Sequence, residues 1–211
     1  SQAIANMEQL LPAVDPELFK PENKSRGDFF RKEIGFGGRP TIVSVSRLMP
    51  RKGHDFLIEV LPELKILIPN VALIIVGDGP YRNYLEQQVK KLGLTNDVYF
   101  SGKVPFKDLP SWYAAGDIFA VPCRTRTGGW DVEGLGIVYL EASATGLPVI
   151  AGDSGGAPEA VFEGKSGYVV GGKNKDELIN RIVQLFNSEK LRTDLGNFGR
   201  QWVLDEWTWD K

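Results

Sequence analysis

Residues 41–80 read TIVSVSRLMPRKGHDFLIEVLPELKILIPNVALIIVGDGP. The stretch opens on a β-branched run, Thr41–Ser46, and closes on a second, Val71–Val76. Each is too short and too continuously apolar for a helix and suits a strand buried on both faces. Between them, His54–Leu67 carries apolar residues at Phe56, Leu57, Val60, Leu61, Leu64 and Leu67, a period of about 3.6 that makes one apolar stripe. Strand, amphipathic helix and strand predict a parallel pair joined by a helical crossover.

Working outward, the same alternation continues. Val98–Ser101, Ile118–Val121, Pro148–Ala151 and Gly167–Val170 read as strands, and Tyr81–Leu92, Asp108–Ala115, Leu135–Thr145, Pro158–Phe162 and Lys175–Phe186 as helices. Five such repeats imply right-handed crossovers and an α/β, doubly wound, mostly parallel sheet with helices on both faces. Pro80 suits a first helical turn, and Gly93 and Gly146 sit where helices should stop. The sheet domain is expected over 41–190. Residues 1–40 read as a linker, with a Pro-rich stretch Leu11–Pro21 and a lead-in helix at about Ser25–Ile34. Residues 191–211 read as a helical tail in which Trp202, Trp207 and Trp209 have no evident place on the sheet, so they are expected to pack on something else.

The 211 residues carry 25 Lys+Arg and 27 Asp+Glu, a net charge of −2, with 42% hydrophobic residues. That balance excludes a disordered chain and argues against nucleic acid or an anionic membrane surface as the main partner. One cysteine, Cys123, permits no internal disulfide and points to a reducing, cytoplasmic setting. The lone histidine, His54, excludes any two-histidine mechanism within this chain and reads as a surface or capping residue. No apolar run approaches the ~20 residues of a membrane span, and the first residues lack the pattern of a signal peptide.

In open parallel sheets, ligands bind beyond the carboxyl ends of the strands. After the first strand, Ser46-Arg47-Leu48-Met49-Pro50-Arg51-Lys52-Gly53 sets three cations before a helix. Arg47 and Lys52 could hold a phosphate there, or the loop could be a solvated basic turn. Gly77-Asp78-Gly79 follows the second strand, but Arg82 replaces the third glycine of a dinucleotide fingerprint, which leaves a tight turn, near a ligand or purely structural. The fourth strand runs into residues 122–136, where Gly134 and Gly136 open a helix carrying Glu141. Exposed amides and the helix dipole there suit an anion. Glu133 and Glu141 would lie about 12 Å apart along such a helix, roughly a sugar diphosphate with its ribose. The same spacing also fits a capped helix with one ordinary acidic residue.

Three matches fail on context. Gly152-Asp153-Ser154-Gly155-Gly156 matches a serine-protease nucleophile sequence, but those proteases are antiparallel barrels. Gly164-Lys165-Ser166 resembles the end of a phosphate-binding loop, but its first glycine is Glu159 here and a strand follows. The carboxylates show no metal-ligand clustering.

Taken together, Ser46-Arg47 with Lys52-Gly53, Gly77-Asp78-Gly79, Glu133 and Glu141 separated by seven residues, and Gly146-Leu147-Pro148-Val149-Ile150 resemble the retaining glycosyltransferases of family four. The likeness covers about Val14 to Trp209 and corresponds to the C-terminal, donor-binding half of a fold that pairs two Rossmann-like domains around a cleft. It implies that Arg47 and Lys52 hold the donor pyrophosphate and Glu133 contacts the transferred sugar. It further implies that Gly134, Leu135 and Gly136 offer amides, Glu141 binds ribose, and Lys103 and Val104 meet the base. Gly77, Asp78, Gly79 and Arg126 complete the implied donor site. No metal and no cofactor beyond the nucleotide-sugar substrate are implied.

A closer likeness, carried by Cys123-Arg124-Thr125-Arg126, Gly128-Gly129, Asp131 to Ala142 and Ala151 to Glu159, is to mannosyltransferases that extend phosphatidylinositol mannosides from GDP-mannose. It implies a lipid-linked or saccharide acceptor, a cytoplasmic enzyme peripheral at the inner face of a membrane, and an N-terminal acceptor domain absent from this chain. The chain alone is then expected to bind donor and transfer little. A UDP-sugar enzyme of polysaccharide assembly, a nucleotide-binding module without turnover and, on the Gly77-Asp78-Gly79 turn alone, an NAD-linked oxidoreductase are the alternatives.

Overall fold

The computed structural model describes residues 12–210. Its six strands are β1 (Thr41–Val45), β2 (Ala72–Val76), β3 (Val98–Gly102), β4 (Ile118–Val121), β5 (Val149–Gly152) and β6 (Gly167–Val170). They form one sheet in the order β3-β2-β1-β4-β5-β6, with every neighbouring pair parallel. β1 runs in register with β2 from Thr41↔Ala72 to Val45↔Val76 and with β4 at Ile42↔Ile118. The strand order reverses between β1 and β4, so a crevice opens at their carboxyl ends.

Every residue of β1, β2, β4 and β5 is buried, whereas the edge strands β3 and β6 are partly open. The side-chain alternation of the strands divides the interior in two. Ile42, Leu73, Ile75, Ile118 and Ile150 face a core filled by α2 (His54–Leu67), α3 (Arg82–Lys91) and α6 (Lys175–Phe186). Val43, Val45, Ile74, Phe119 and Val149 face a second core holding Tyr113 of α4 (Leu109–Ala114), Tyr139 and Leu140 of α5 (Ile137–Ala144) and Val203 of α7 (Glu189–Glu206). The lead-in helix α1 is Lys24–Glu33 and packs on α4.

Three expectations are corrected. The segment Pro158–Phe162 makes one 3-10 turn, Ala157–Ala160, too short to be an α-helix. The helix expected from Leu135 begins at Ile137, because Gly136 stands before it in a left-handed conformation, φ 75°. The aromatic tail does have a place on this chain: α7 lies against α5, Trp207 is buried in the second core, and Trp202 sits edge-on between Phe162 and Trp207. Trp209 alone of the three is exposed. The tail is locked by Val14 N donating to Trp207 O at 2.8 Å and by Arg200 Nη1 donating to the carbonyls of Pro16, Phe19 and Ala144 at 2.7–2.9 Å. The first eleven residues of the expected linker lie outside the described residues.

Candidate functional site

Three loops at the carboxyl edge of β1, β2 and β3 are tied backbone to backbone: Ser46 N donates to Val76 O (3.1 Å), Leu48 N to Asp78 O (3.0 Å) and Gly77 N to Gly102 O (3.0 Å). They border an open cavity of about 460 Å³ lined by Val45, Ser46, Arg47, Val76, Gly77, Asp78, Lys103, Val104 and Leu109. Five of the residues singled out from the sequence, Arg47, Gly77, Asp78, Lys103 and Val104, therefore meet here. Arg47 is exposed and makes no ion pair among the described residues, so its charge is available to a ligand.

Lys52 and Glu133 meet one loop further on, beside the crevice. Lys52 Nζ lies 2.9 Å from Oε1 and 2.8 Å from Oε2 of Glu133, and both side chains are buried, at 8% and 6% exposure. Arg51 joins them, with Nε 3.7 Å from Glu133 Oε2 and Nη1 3.3 Å from Asp131 Oδ1. With Arg126 Nη1 3.9 Å from Asp131 Oδ2, the cluster holds three cations and two carboxylates. The backbone holds it together: Arg124 N donates to Arg51 O at 2.8 Å, and a Cβ on Gly53 (φ 76°) would lie 2.1 Å from Pro122 O.

Glu133 is also fixed from the β5 side. Its N–H donates to Ser154 Oγ at 3.1 Å, and that hydroxyl contacts Thr125 Oγ1 at 3.1 Å. Gly155, at φ 57°, passes so close that a Cβ there would lie 1.8 Å from Glu133 O. Ser154 and Gly155 are the residues whose protease-like context failed; their place in the structure is to buttress Glu133. No local signal marks this role, because the partners lie 21 residues apart in sequence.

Glu141 occupies a different environment. Tyr113 Oη donates to Glu141 Oε2 at 2.5 Å from inside the second core, and burial raises the Glu141 pKa while that hydrogen bond opposes the rise. Neither Glu133 nor Glu141 lines the 460 Å³ cavity. Gly134, Leu135 and Gly136 lead from Glu133 into the first turn of α5. Arg126 closes a small hairpin with Asp131 through paired backbone hydrogen bonds, leaving its side chain and that of Trp130 exposed.

The structure corrects the reading of His54 as a surface or capping residue. Its side chain is fully buried, Nε2 is 3.2 Å from Ser46 Oγ, and burial followed by the charge of Lys52 lowers its pKa to about 3. It is a neutral strut beneath the Arg47 loop. A further junction was not anticipated: Asp55 Oδ2 accepts hydrogen bonds from Arg124 and from Tyr81 Oη, joining the loops after β1, β2 and β4. Cys123 is buried, with its thiol pushed up by that burial and contacted by Tyr139 Oη at 3.2 Å. Among the described residues, no three His, Cys, Asp or Glu side chains gather as metal ligands, and no helix is long and apolar enough to cross a membrane.

Known proteins with this arrangement point in one direction. Residues 26–202 match the family described as glycosyl transferases group 1. The chain is 48% identical over 205 residues to a GDP-mannose-dependent alpha-(1-6)-phosphatidylinositol monomannoside mannosyltransferase of Mycolicibacterium smegmatis, covering 97% of this chain and 53% of that protein. Among solved structures, HepE of Anabaena in complex with UDP and glucose superposes with a TM-score of 0.80 at 29% identity, over 93% of this chain and 51% of that one. The C-terminal domain of the group 1 glycosyl transferase LpcC of Francisella tularensis superposes at 0.77 with 27% identity, over 93% of this chain and 99% of that domain. The chain spans about half the length of the curated relatives it matches.

Proposed function

This chain belongs to the glycosyl transferases of group 1, and we propose that it is the donor-binding half of a retaining mannosyltransferase that draws mannose from GDP-mannose. The observation that carries the proposal is the placement, at the strand-order reversal of one parallel sheet, of the Lys52–Glu133 pair beside a cavity lined by Arg47, Gly77, Asp78, Lys103 and Val104. The cavity accommodates the base, met through the backbone around Lys103 and Val104. Arg47 and Lys52 hold the pyrophosphate, helped by the Gly134, Leu135 and Gly136 amides and the dipole of α5. Glu133 accepts hydrogen bonds from hydroxyls of the transferred mannose, Glu141 binds the ribose, and Gly79 and Arg126 border the donor.

In the reaction, the bond between mannose C1 and the β-phosphate oxygen breaks as an acceptor hydroxyl oxygen bonds to C1 on the same face. The hydroxyl proton passes to the departing phosphate oxygen, giving GDP. Negative charge builds on that phosphate, and preorganised cations and amides stabilise it without a metal. The acceptor, lipid-linked or saccharide, docks on a second domain, and domain closure completes the site, so the chain alone transfers little. An enzyme with a lipid acceptor would work in the cytoplasm at the inner face of a membrane.

Calorimetric titration with GDP, UDP, GDP-mannose and UDP-glucose, with and without magnesium, tests this reading. We expect metal-independent binding of the guanosine series, weakened by Lys52→Ala or Glu141→Ala. Binding of the uridine series alone would favour the second reading, a UDP-sugar enzyme, for which the likeness to UDP-bound HepE speaks. Binding of neither by the chain or by the full-length protein would overturn the donor-site assignment.

A further inference from the structure

We propose that Glu133 is a built-in counter-anion that makes the site discriminate against free nucleoside diphosphate in favour of the sugar-bearing donor, and so speeds release of the spent nucleotide. The inference rests on the donor-site reading above but goes beyond a sugar contact. Its basis is that Lys52, the buried cation of the β1–α2 loop, is already neutralised. Both oxygens of Glu133 lie within 2.9 Å of its Nζ, and Asp131 draws Arg51 away at 3.3 Å. Of the cations lining the cavity, Arg47 and Lys103 make no ion pair among the described residues.

A diphosphate entering alone must share Lys52 with a carboxylate held 6% exposed, where solvent screens little. The backbone that carries Glu133 is pinned beside Lys52, since Ser154 Oγ accepts its N–H and Gly155 is packed against its carbonyl. A sugar on the diphosphate changes the balance. Its hydroxyls donate to Glu133, satisfying the carboxylate and freeing Lys52 for the phosphates. Once the sugar has moved to the acceptor, those donors are gone, the carboxylate again competes for Lys52, and the diphosphate is expelled.

The discriminating variant is Glu133→Gln, which keeps shape and hydrogen-bonding capacity but removes the charge. Affinities for GDP, GDP-mannose and GMP are compared by calorimetry with those of the unaltered chain. GMP, which lacks the β-phosphate, reports an intact base site. We expect GDP to bind at least about tenfold more tightly to the variant. The ratio of GDP-mannose to GDP affinity should fall by more than that, and GMP should be unchanged. Unchanged or weaker GDP binding with GMP binding retained overturns the proposal. If Glu133→Gln also loses GMP, Glu133→Ala decides, since it removes the same carboxylate from Lys52 by truncation. Tighter GDP binding by that variant supports the counter-anion, and its absence rejects it. Failure of the unaltered chain to bind GDP, UDP or GMP would instead count against the donor-site reading.

Discussion

Glu133 and Glu141 are the same residue type, eight positions apart, both largely buried, yet the fold treats them oppositely. Glu133, ahead of α5, faces two cations, Lys52 at 2.8 Å and Arg51 at 3.7 Å. Glu141, inside α5, faces a phenol and apolar side chains, and its carboxyl is pushed toward the protonated form. The difference lies in the partner: an ammonium and a guanidinium beside Glu133, a phenol hydroxyl beside Glu141.

The comparison can be broken most forcefully at Lys52. Lys52→Ala leaves Glu133 buried without its main counter-ion and is expected to cost about 3–5 kcal/mol in urea denaturation. Replacing both partners, Lys52→Met with Glu133→Gln, should restore most of that stability while donor binding stays lost. If Lys52→Ala proves no more costly than the corresponding change at Tyr113, the two sites are not electrostatically distinct. Tyr113→Phe is the milder case, removing one hydrogen bond from a buried carboxyl at an expected cost of about 1–3 kcal/mol by the same measurement.

The smallest effect is a slope. The folded state holds the Glu141 proton more tightly than the unfolded chain does. The stability that this group contributes is therefore full below the unfolded pKa and is lost as pH rises through the raised folded value. Glu141→Gln should flatten that part of the curve of stability against pH. An unchanged curve would show that burial does not hold the Glu141 proton more tightly in the folded state.

Much of this frame is legible locally. The runs at Thr41–Ser46, Val71–Val76 and Ile118–Val121 became strands within a residue of their expected bounds because burial on both faces leaves an unmistakable apolar signature. The loops carrying Arg47, Gly77 and Lys103 converge because strand order places β1, β2 and β3 side by side. What stayed hidden depends on contacts distant in sequence. The closure of Lys52 onto Glu133 spans 81 positions, and that of Arg124 onto Asp55 spans 69. His54 misled because its polarity says surface, whereas Ser46 and the underside of the loop give it a buried home. The tryptophan tail misled because its receiving surface is assembled from Phe162, Val14 and α5, none of them adjacent to it in sequence.

The clasp between Val14, Arg200 and Trp207 also has a mechanical meaning. It brings both ends of the described chain to one spot on the second core, and Arg200 alone grips three carbonyls there. A tensile load applied at those ends would be taken first by this handful of hydrogen bonds and by the seat of α7, before any strand of the sheet is strained. The clasp acts as a mechanical fuse in series with the sheet, so the loops around the cavity lined by Arg47, Gly77 and Lys103 stay assembled until it gives way.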